Sequence, residues 1–429
     1  MKYRNLFFTI LFLAITGTTS AQDTVRMTLD SCLRYAFEHN LQIQTAVLNR
    51  QSAEAGLTGA KERFLPSVSA SASQSLYNSE ATAGGGQVGI NGSLTLFSGL
   101  SNLRSLKQSK ISTSQSELKV LQTKQSASTQ IVQAYLTMLM NEEKLSYQQE
   151  VLETSHQQQL EGEVKYQVGR ILESDYLLLA ANYLSAQADI DNTRLTVEDN
   201  RFSLVDLMGM NENIVLEAVP STDTLRATDR TIPLYDSVLA QAQRSMPDWQ
   251  ISQMDVDLAR LNVRLAESNL MPTLSLNAGY GGQWLPQEAT AGNGTTFMDN
   301  SSVTLGLSIP IFDRGSSATQ IKQSKISLQQ AELQHQQTLI DLENDIYDLY
   351  LNIQQTLNRY RASEALVEAY HASYEVYVLK YGEGAVTTVE MLQQQDRYLS
   401  ALNDYLQNKY SYLLAEKQLD IYTGKEIRL

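Results

Sequence analysis

The sequence predicts an α+β membrane protein built from two tandem repeats, each with a helix, a β-hairpin and a pair of long antiparallel helices. Three observations carry this prediction. The hexapeptide KQSKIS occurs at Lys107–Ser112 and again at Lys322–Ser327, 215 positions later in a chain of 429 residues. Four segments alternate apolar and polar residues with the period of a β-strand. Two stretches of about 65 residues contain no proline and almost no glycine, which favours very long helices.

The first 21 residues have the pattern of an export signal. Lys2 and Arg4 form a short positive region, Leu6–Ile15 forms an apolar one, and small residues precede Gln22. The apolar run is far shorter than the ~20 residues that span a bilayer as a helix. The sequence therefore predicts that residues 1–21 are a cleaved signal peptide and that the mature protein is exported.

Composition narrows the function classes. The chain carries 33 basic and 47 acidic residues, a net charge of −14, without a basic cluster that would bind nucleic-acid phosphates. Its four histidines lack metal-ligand spacing, and no nucleophile-elbow, phosphate-loop or zinc-hydrolase motif occurs. These features argue against nucleic-acid binding, a cofactor and catalysis. Cys32 is the single cysteine, which we interpret as a buried, unreactive thiol on the first helix.

The repeat divides the mature chain into units. The predicted divisions are a first repeat (22–209), a connector (210–233), a second repeat (234–424) and a C-terminal tail (425–429). Early in the repeat the offset is 206 instead of 215, as between Pro66 and Pro272, so nine extra residues lie in the Gly/Asn/Thr-rich segment before Val303. A length change confined to such a segment predicts a surface loop.

Each repeat is predicted to open with a helix of roughly 35 residues that stops before a proline, because proline cannot continue a helix. A much longer helix follows the hairpin, and a glycine turn leads into a returning helix. At 1.5 Å per residue, a helix of 65 residues is roughly 100 Å long. The predicted opening and long helices are Thr28–Phe64 and Asn102–Tyr166 in the first repeat, and Tyr235–Leu270 and Ser316–Tyr381 in the second.

A β-hairpin is predicted between the opening and long helices of each repeat. Its strands of about 11 residues are longer than the ~5–6 residues of an average strand. They cover residues 67–77, 87–97, 273–284 and 302–312. Alternation alone fits a soluble sandwich as well as a membrane sheet, but strand length and the lack of a compact partner domain favour the membrane. Aromatic residues at the strand ends fit two interfacial girdles: Phe64, Phe97 and Phe312 on the helix side, Tyr77 and Trp284 on the loop side.

Four strands are too few to close a barrel. In lipid every backbone N–H and C=O must be paired, so open sheet edges cost several kcal/mol per group. Other copies of the chain must therefore complete the barrel. Two chains would give eight strands around a filled interior, and three would give twelve strands around a lumen. The serine-rich inner face suits a pore wall, and a ring of long helices with apolar stripes would continue it as a tunnel.

Several short segments in a fixed order resemble one known family. They are LDSCLRYAFEHNLQI at Leu29–Ile43, FLPSVSASAS at the start of the first strand, LFSGLSNL and PIFDRG at the two strand-to-helix turns, and YQVGRILESDYLLLA and YGEGAVTTVEMLQQQ at the helix-hairpin tips. Their order and spacing, over essentially the whole mature chain, resemble the TolC family of outer-membrane efflux and type I secretion channels.

The resemblance implies a homotrimer whose twelve strands form a β-barrel in the lipid of the outer membrane, continuous with an α-helical barrel in the periplasm. It also implies that an inner-membrane pump and its periplasmic adaptor, or membrane fusion protein, use this tunnel as an exit duct. No catalytic group, cofactor or nucleic acid takes part in that function. The long Gln/Ser-rich helices alone would also allow a secreted or periplasmic coiled-coil scaffold without a pore.

A gate near the helix-hairpin tips is a further implication of the resemblance. Motif matching places it at Glu390 and Gln393, with Asp175 at the equivalent place in the first repeat. Relatives carry two acids in the second repeat where this chain keeps one, so the resemblance leaves cation binding by a double acidic ring open. The carboxylates also lie near the start of a returning helix, where the helix dipole favours them for structural reasons.

The tips themselves are the implied docking sites for the adaptor. The residues that the resemblance places there are Gly169, Arg170, Gly382 and Gly384. The glycines are expected to let the chain reverse, either through a positive φ or through close helix contact.

Overall fold

The computed structural model describes residues 24–75, 85–210, 215–218, 233–286 and 295–425. The predicted signal peptide, Tyr77, most of the predicted connector and residues 426–429 lie outside these ranges. Each repeat runs from two short helices through a β-hairpin to a long helix and a shorter returning helix. The predicted α+β architecture with two tandem repeats is therefore confirmed.

The elements follow the same order in both repeats. The first repeat contains β1 (Thr24–Met27), α1 (Leu29–His39), α2 (Leu41–Glu62), β2 (Ser67–Ser75), β3 (Gly85–Ser98), α3 (Ser101–Gln167) and α4 (Glu173–Met208). The second contains β4 (Val215–Ala218), α5 (Tyr235–Ser245), α6 (Pro247–Ser268), β5 (Thr273–Pro286), β6 (Thr295–Ser308), α7 (Ser316–Gly382) and α8 (Thr388–Tyr422). The short β1 and β4 form a parallel pair that the sequence did not reveal, because four residues are too few for alternation to show.

The opening helix of each repeat is two helices, which corrects the prediction of a single helix over Thr28–Phe64 and over Tyr235–Leu270. In the first repeat Asn40 is extended (φ −61°, ψ 126°), and its side-chain oxygen accepts hydrogen bonds from the N–H groups of Gln42 (2.9 Å) and Ile43 (3.1 Å). This cap starts a new helix. In the second repeat Met246 is extended because it precedes Pro247, which disfavours helical geometry in the residue before it.

The long helices agree with their predicted ranges to within one residue at each end. α3 and α7 each have 67 residues, which corresponds to about 100 Å. Each packs along its returning helix, α3 on α4 and α7 on α8. In the described ranges, none of the helices is both long and apolar enough to cross a membrane.

The hairpin strands form one antiparallel sheet in the order β2-β3-β5-β6, so that β2 and β6 are its edges. The last strand differs most from its prediction over residues 302–312. It begins at Thr295, because pairing with β5 continues towards the loop, and it ends at Ser308, two residues before Pro310. Proline has no N–H to donate to a strand ladder, which explains this end.

The main apolar core lies where α1 packs between α3 and α4. Cys32, Ile131, Tyr135 and Leu204 are buried there. The second repeat forms a matching core, with Val238 of α5 against Ile346 of α7. Burial raises the pKa of the Cys32 thiol to about 12, which confirms its interpretation as an unreactive buried residue.

Candidate functional site: the sheet faces and the helix-hairpin tips

The four-stranded sheet has one apolar face and one polar face. The register places Leu94 beside Leu276, and Leu276 beside Leu305, so apolar side chains continue across the strands. The apolar face includes Val68, Ala70, Ile90, Leu94, Leu274, Leu276, Val303, Leu305 and Leu307. The opposite face carries mainly serine, threonine, asparagine, glutamine and glycine. Val303 is 77% exposed and Leu305 is 64% exposed in the single chain, so this face needs lipid or a partner to cover it.

Two aromatic side chains lie across glycines near the loop end of the apolar face. A Cβ atom at Gly86 would overlap the Trp284 ring, and one at Gly282 would overlap the Phe297 ring. Trp284 and Phe297 are direct cross-strand partners. Sequence reasoning missed Phe297 because it lies in a segment assigned to the loop. The only signal for it was the alternation of β6 continued backwards, which Asp299 interrupts on the same face.

The other predicted girdle residues have mixed placements. Phe97 lies in β3 on the apolar face, beside Leu274. Phe64 lies in the turn after α2, and Phe312 lies four residues beyond β6 with 84% of its surface exposed. Tyr77 lies outside the described residues. Their contact with a membrane interface stays a prediction.

The tips of the two helix pairs have the same backbone geometry. Gly169 (φ +72°) and Gly384 (φ +77°) are left-handed, a conformation that glycine adopts without strain. The N–H of Arg170 donates to the carbonyl of Lys165 at 2.8 Å, which closes the end of α3 in a Schellman motif. The end of α7 is closed in the same way. Gly382 is helical and has open space around it, so neither positive φ nor close contact accounts for it, and that expectation was wrong.

An apolar cluster beneath the tips joins the two repeats. Leu179 of α4 packs against Tyr381 of α7 and Met391 of α8, and all three are buried. Lys165 of α3 places its ammonium group 4.2 Å from the centre of the Tyr381 ring, a cation–π contact. Burial, with Asp175 and Glu161 nearby, raises the pKa of Tyr381. The tips of both helix pairs are therefore held side by side.

The predicted gate residues lie at the start of the returning helices. Glu390 forms a capping box with Thr387: its carboxylate accepts from the Thr387 N–H at 2.8 Å, and its own N–H donates to Thr387 Oγ1 at 3.2 Å. The Thr387 N–H, followed by the Thr387 hydroxyl, holds the pKa of Glu390 below its usual range. Gln393 is exposed one turn later, and Asp175 is half-buried in the first turn of α4. Glu390 thus has a structural role, and its place in a gate stays a prediction.

A buried polar network crosses the helix pairs a few turns from the tips. The side-chain amide of Asn182 donates to Ser155 Oγ and to Gln395 Oε1, both at 3.1 Å. Gln395 is 1% exposed and also donates to Ser155 Oγ at 3.3 Å. These contacts fix α3, α4 and α8 in register. Sequence reasoning had no signal for them, because glutamine, asparagine and serine occur throughout the helices.

The strand-to-helix turn of the second repeat, PIFDRG, is capped by its aspartate. The carboxylate of Asp313 accepts from the N–H groups of Gly315 at 3.0 Å and Ser317 at 2.7 Å. The hydrogen bonds with Ser317 are the main reason that the pKa of Asp313 lies below its usual range. Arg314 (φ 57°) and Gly315 (φ 80°) are both left-handed, as are Gly99 and Leu100 at the first-repeat turn.

Comparison with known proteins agrees, over most of the chain, with the family resemblance of the sequence motifs. The Outer membrane efflux protein family matches residues 33–210 and 238–425. Outer membrane protein TolC of Vibrio cholerae is 21% identical over 389 residues, which are 90% of this chain and 87% of that protein. Outer membrane efflux protein BepC of Brucella suis is 21% identical over 415 residues, which are 96% of this chain and 88% of that protein.

The fold also matches solved structures. The CmeC outer membrane channel of Campylobacter jejuni superposes with a TM-score of 0.79 at 20% sequence identity, over 92% of this chain and 85% of that chain. Both repeats and the hairpin sheet thus have counterparts of known structure. This chain therefore belongs to the Outer membrane efflux protein family, a family of transport channels and not of enzymes, with its sheet in the outer membrane and its helices in the periplasm.

Proposed function

We propose that three copies of this chain form the exit duct of a tripartite efflux or type I secretion system. In this proposal twelve strands close into a barrel in the outer membrane, and the helices continue it as a periplasmic tunnel. Substrates pass from an inner-membrane pump and a periplasmic adaptor to the cell exterior. The names of TolC and BepC as outer-membrane and efflux proteins agree with this role.

One observation carries the proposal: the sheet has four strands, two open edges and one mainly apolar face. Within the described residues, neither β2 nor β6 has a partner on its outer side. Such edges leave backbone groups unpaired in lipid, at a cost of several kcal/mol each. Pairing β6 of one copy with β2 of the next removes every edge, and three copies leave a lumen lined by the polar face.

Cysteine cross-linking tests this closure. In a Cys32→Ser background, Ser71→Cys on β2 is combined in turn with Asn300→Cys, Ser302→Cys or Thr304→Cys on β6. Within one chain these edges are three strand spacings, about 14 Å, apart, too far for a disulfide. We expect at least one pair to give an oxidised ladder that ends at three chains. A ladder that ends at two chains, or disulfides absent from every pair, would contradict the trimer.

Conductance separates the duct from the alternative scaffold. Protein extracted from outer membranes is reconstituted into planar lipid bilayers, and we expect stepwise ion currents. A polar substitution on the lumen face, such as Ser302→Lys, should lower the current of each step because a charged side chain narrows the pore and repels cations. A water-soluble product without current would favour the coiled-coil scaffold.

We also propose that Asp175, Glu390 and Gln393 narrow the periplasmic mouth. The support is that Glu390 and Gln393 are exposed in the first turns of α8, beside the tip of the second helix pair. Glu390→Gln removes the charge but keeps a capping side chain, since glutamine also serves in a capping box. We expect lower cation selectivity in single-channel recordings of this variant. Glu383→Gln, on an exposed acid of the tip turn, is the matched control; equal effects of the two variants would rule out a specific gate role.

Adaptor docking at the tips is a third part of the proposal. Gly169, Arg170, Gly382 and Gly384 are all exposed, as a docking surface requires. Gly382→Asp places charge on this surface without backbone strain, because Gly382 is helical and has open space around it. We expect loss of efflux in cells with normal amounts of protein in the outer membrane. Unchanged efflux in the double variant Gly382→Asp/Arg170→Glu would contradict docking at this surface.

A further inference from the structure

A pocket of about 700 Å³ lies between α3 and α6, where the helices meet the sheet. Its apolar lining comes mainly from Leu100, Leu103 and Leu106. Leu100 is 47% exposed and Leu103 is 55% exposed. Each of these helices has two neighbours from the same chain: α3 contacts α2 and α6, and α6 contacts α3 and α7. The pocket is therefore complete without a second copy.

Hydrogen bonds show which way each face of α3 points. Thr113 donates to a carbonyl of α2, at Ala53, whereas Gln108 donates to Asn262 of α6. Successive residues of a helix are rotated by 100°, so α3 has two further faces, one on each side of the line from α2 to α6. One carries Ser101, Ser105, Ser109, Ser112 and Ser116, and the other carries Leu103, Lys107 and Lys110.

The serine face of α3 continues the polar face of the sheet. Ser101 donates to Ser98 Oγ at 2.8 Å, and Ser98 pairs with Thr273 on the polar side of the strands. The leucine and lysine face, and with it the pocket, therefore lies on the opposite side, which continues the apolar face. The pocket opens just below the lipid-facing surface.

The pocket has an excess of positive charge. Arg104, Lys107, Lys110 and Arg264 line it, against one acid, Glu267. Arg104 is held by α6, where it donates to the Arg264 carbonyl and to Ser268 Oγ. Among the described residues no carboxylate forms an ion pair with the side chain of Lys107, Lys110 or Arg264, and all three are exposed. Three cations are thus available to an anionic ligand.

Depth along the helix fits the lipid phosphates. Lys107 lies six residues into α3, about 9 Å from its start, and helical side chains tilt back towards the N-terminus, here towards the sheet. The headgroup layer extends roughly 5–8 Å beyond each side of the hydrocarbon core. The aliphatic part of a lysine side chain can lie along apolar surface while its ammonium group reaches the headgroup layer.

We propose that this pocket binds the headgroup of an anionic phospholipid from the periplasmic leaflet of the outer membrane. Lys107, Lys110 and Arg264 contact the phosphate, and Leu100 and Leu103 contact the first part of the acyl chains. The repeated hexapeptide places Lys322 and Lys325 at the same positions at the start of α7, where they are also exposed. The inference rests on the outer-membrane position of the sheet and not on the transported substrate.

Lipid retention tests the proposal with the full-length protein in detergent. Native mass spectrometry counts the lipids that remain bound after incubation with phosphatidylglycerol or with phosphatidylcholine. We expect preferential retention of phosphatidylglycerol, and a fall in its affinity of about 25-fold in Lys107→Gln/Lys110→Gln, since each lysine near a membrane surface contributes about fivefold. The control Lys119→Gln/Lys144→Gln removes two charges from α3 outside the pocket and should retain the lipid.

Several outcomes would overturn the proposal. Equal retention of the two lipids, or equal losses in the pocket and control variants, would show that no headgroup site exists here. Displacement of phosphatidylglycerol by an equal concentration of inorganic phosphate would assign the pocket to free phosphate. Failure of the duct proposal would appear separately, as a wild-type protein without conductance, whatever its lipid retention.

Discussion

Lys409 of α8 and Glu143 of α3 form a two-pronged ion pair, with the lysine Nζ 2.8 Å from each carboxylate oxygen. Tyr410 adds a hydrogen bond to the same carboxylate at 2.8 Å. The lysine side chain is only 9% exposed, so the pair lies mostly out of water. It joins the first long helix to the last returning helix, across the two repeats.

Removal of one partner should leave a buried charge without compensation. For Glu143→Leu we expect a loss of stability of about 3–5 kcal/mol. Replacement of both partners, in Glu143→Leu/Lys409→Met, should restore most of it, because well-packed apolar residues often match a buried ion pair. Thermal unfolding of the detergent-solubilised protein measures both effects. A double variant as unstable as the single one would contradict this account.

Gly162 of α3 permits the close approach of α4 beneath the tips. A Cβ there would overlap Leu179 Cδ1, and Leu179 is only 1% exposed, so it has little room to move. Gly162→Ala should therefore destabilise the protein by about 1–3 kcal/mol. Gly56→Ala is the matched control, because Gly56 is helical with open space around it, and alanine should add up to about 1 kcal/mol. Equal thermal midpoints for the two variants would refute the packing argument.

The capping box of α8 should respond to acid. Because the pKa of Glu390 is lower in the folded protein, the carboxylate stabilises the cap above the ordinary glutamate pKa of about 4.3. That stabilisation is lost as the pH falls through the folded value. We expect the hydrogen-exchange protection factor of the Thr387 amide to decrease over this range. In Glu390→Gln the amide acceptor does not titrate, so a decrease of the same size would assign the effect to another group.

The two faces of β5 should differ sharply in their tolerance of charge. Leu276→Lys places a cation on the apolar face, where lysine costs about 2–4 kcal/mol near the bilayer midplane. Asn277→Lys changes the adjacent residue, which points to the polar face. We expect a lower urea midpoint after refolding into liposomes for Leu276→Lys only. Equal midpoints would mean that the apolar face does not contact lipid.

Local signals in the sequence were strong enough for the long helices. Over 65 residues without proline, helix propensity and chain length leave few alternatives, and α3 and α7 follow the predicted ranges closely. The breaks at Asn40 and Met246 were missed. Asparagine occurs inside helices as well as at caps, although it is less favourable inside them, and only its hydrogen bonds in the folded chain distinguish the two roles.

At the tips, too, some features were predicted from the sequence and others were not. Positive φ at Gly169 and Gly384 was among the expectations, because few residues other than glycine end helices in this manner. The role of Glu390 was open between a gate and a helix start; its hydrogen bonds with Thr387 show that it starts the helix, and its place in a gate stays a prediction. The network of Ser155, Asn182 and Gln395 was invisible, since these residues are separated by more than 200 positions at its extremes.

The sequence by itself determined the duplication, the strand alternation and the long helices, because each is a periodic property of neighbouring residues. Only the tertiary structure decided which strands are edges, which side of α3 continues the apolar face of the sheet, and how Lys409 reaches Glu143. These relationships depend on register between segments far apart in the chain. Such register is set by packing and hydrogen bonds that exist only once the repeats have folded against each other.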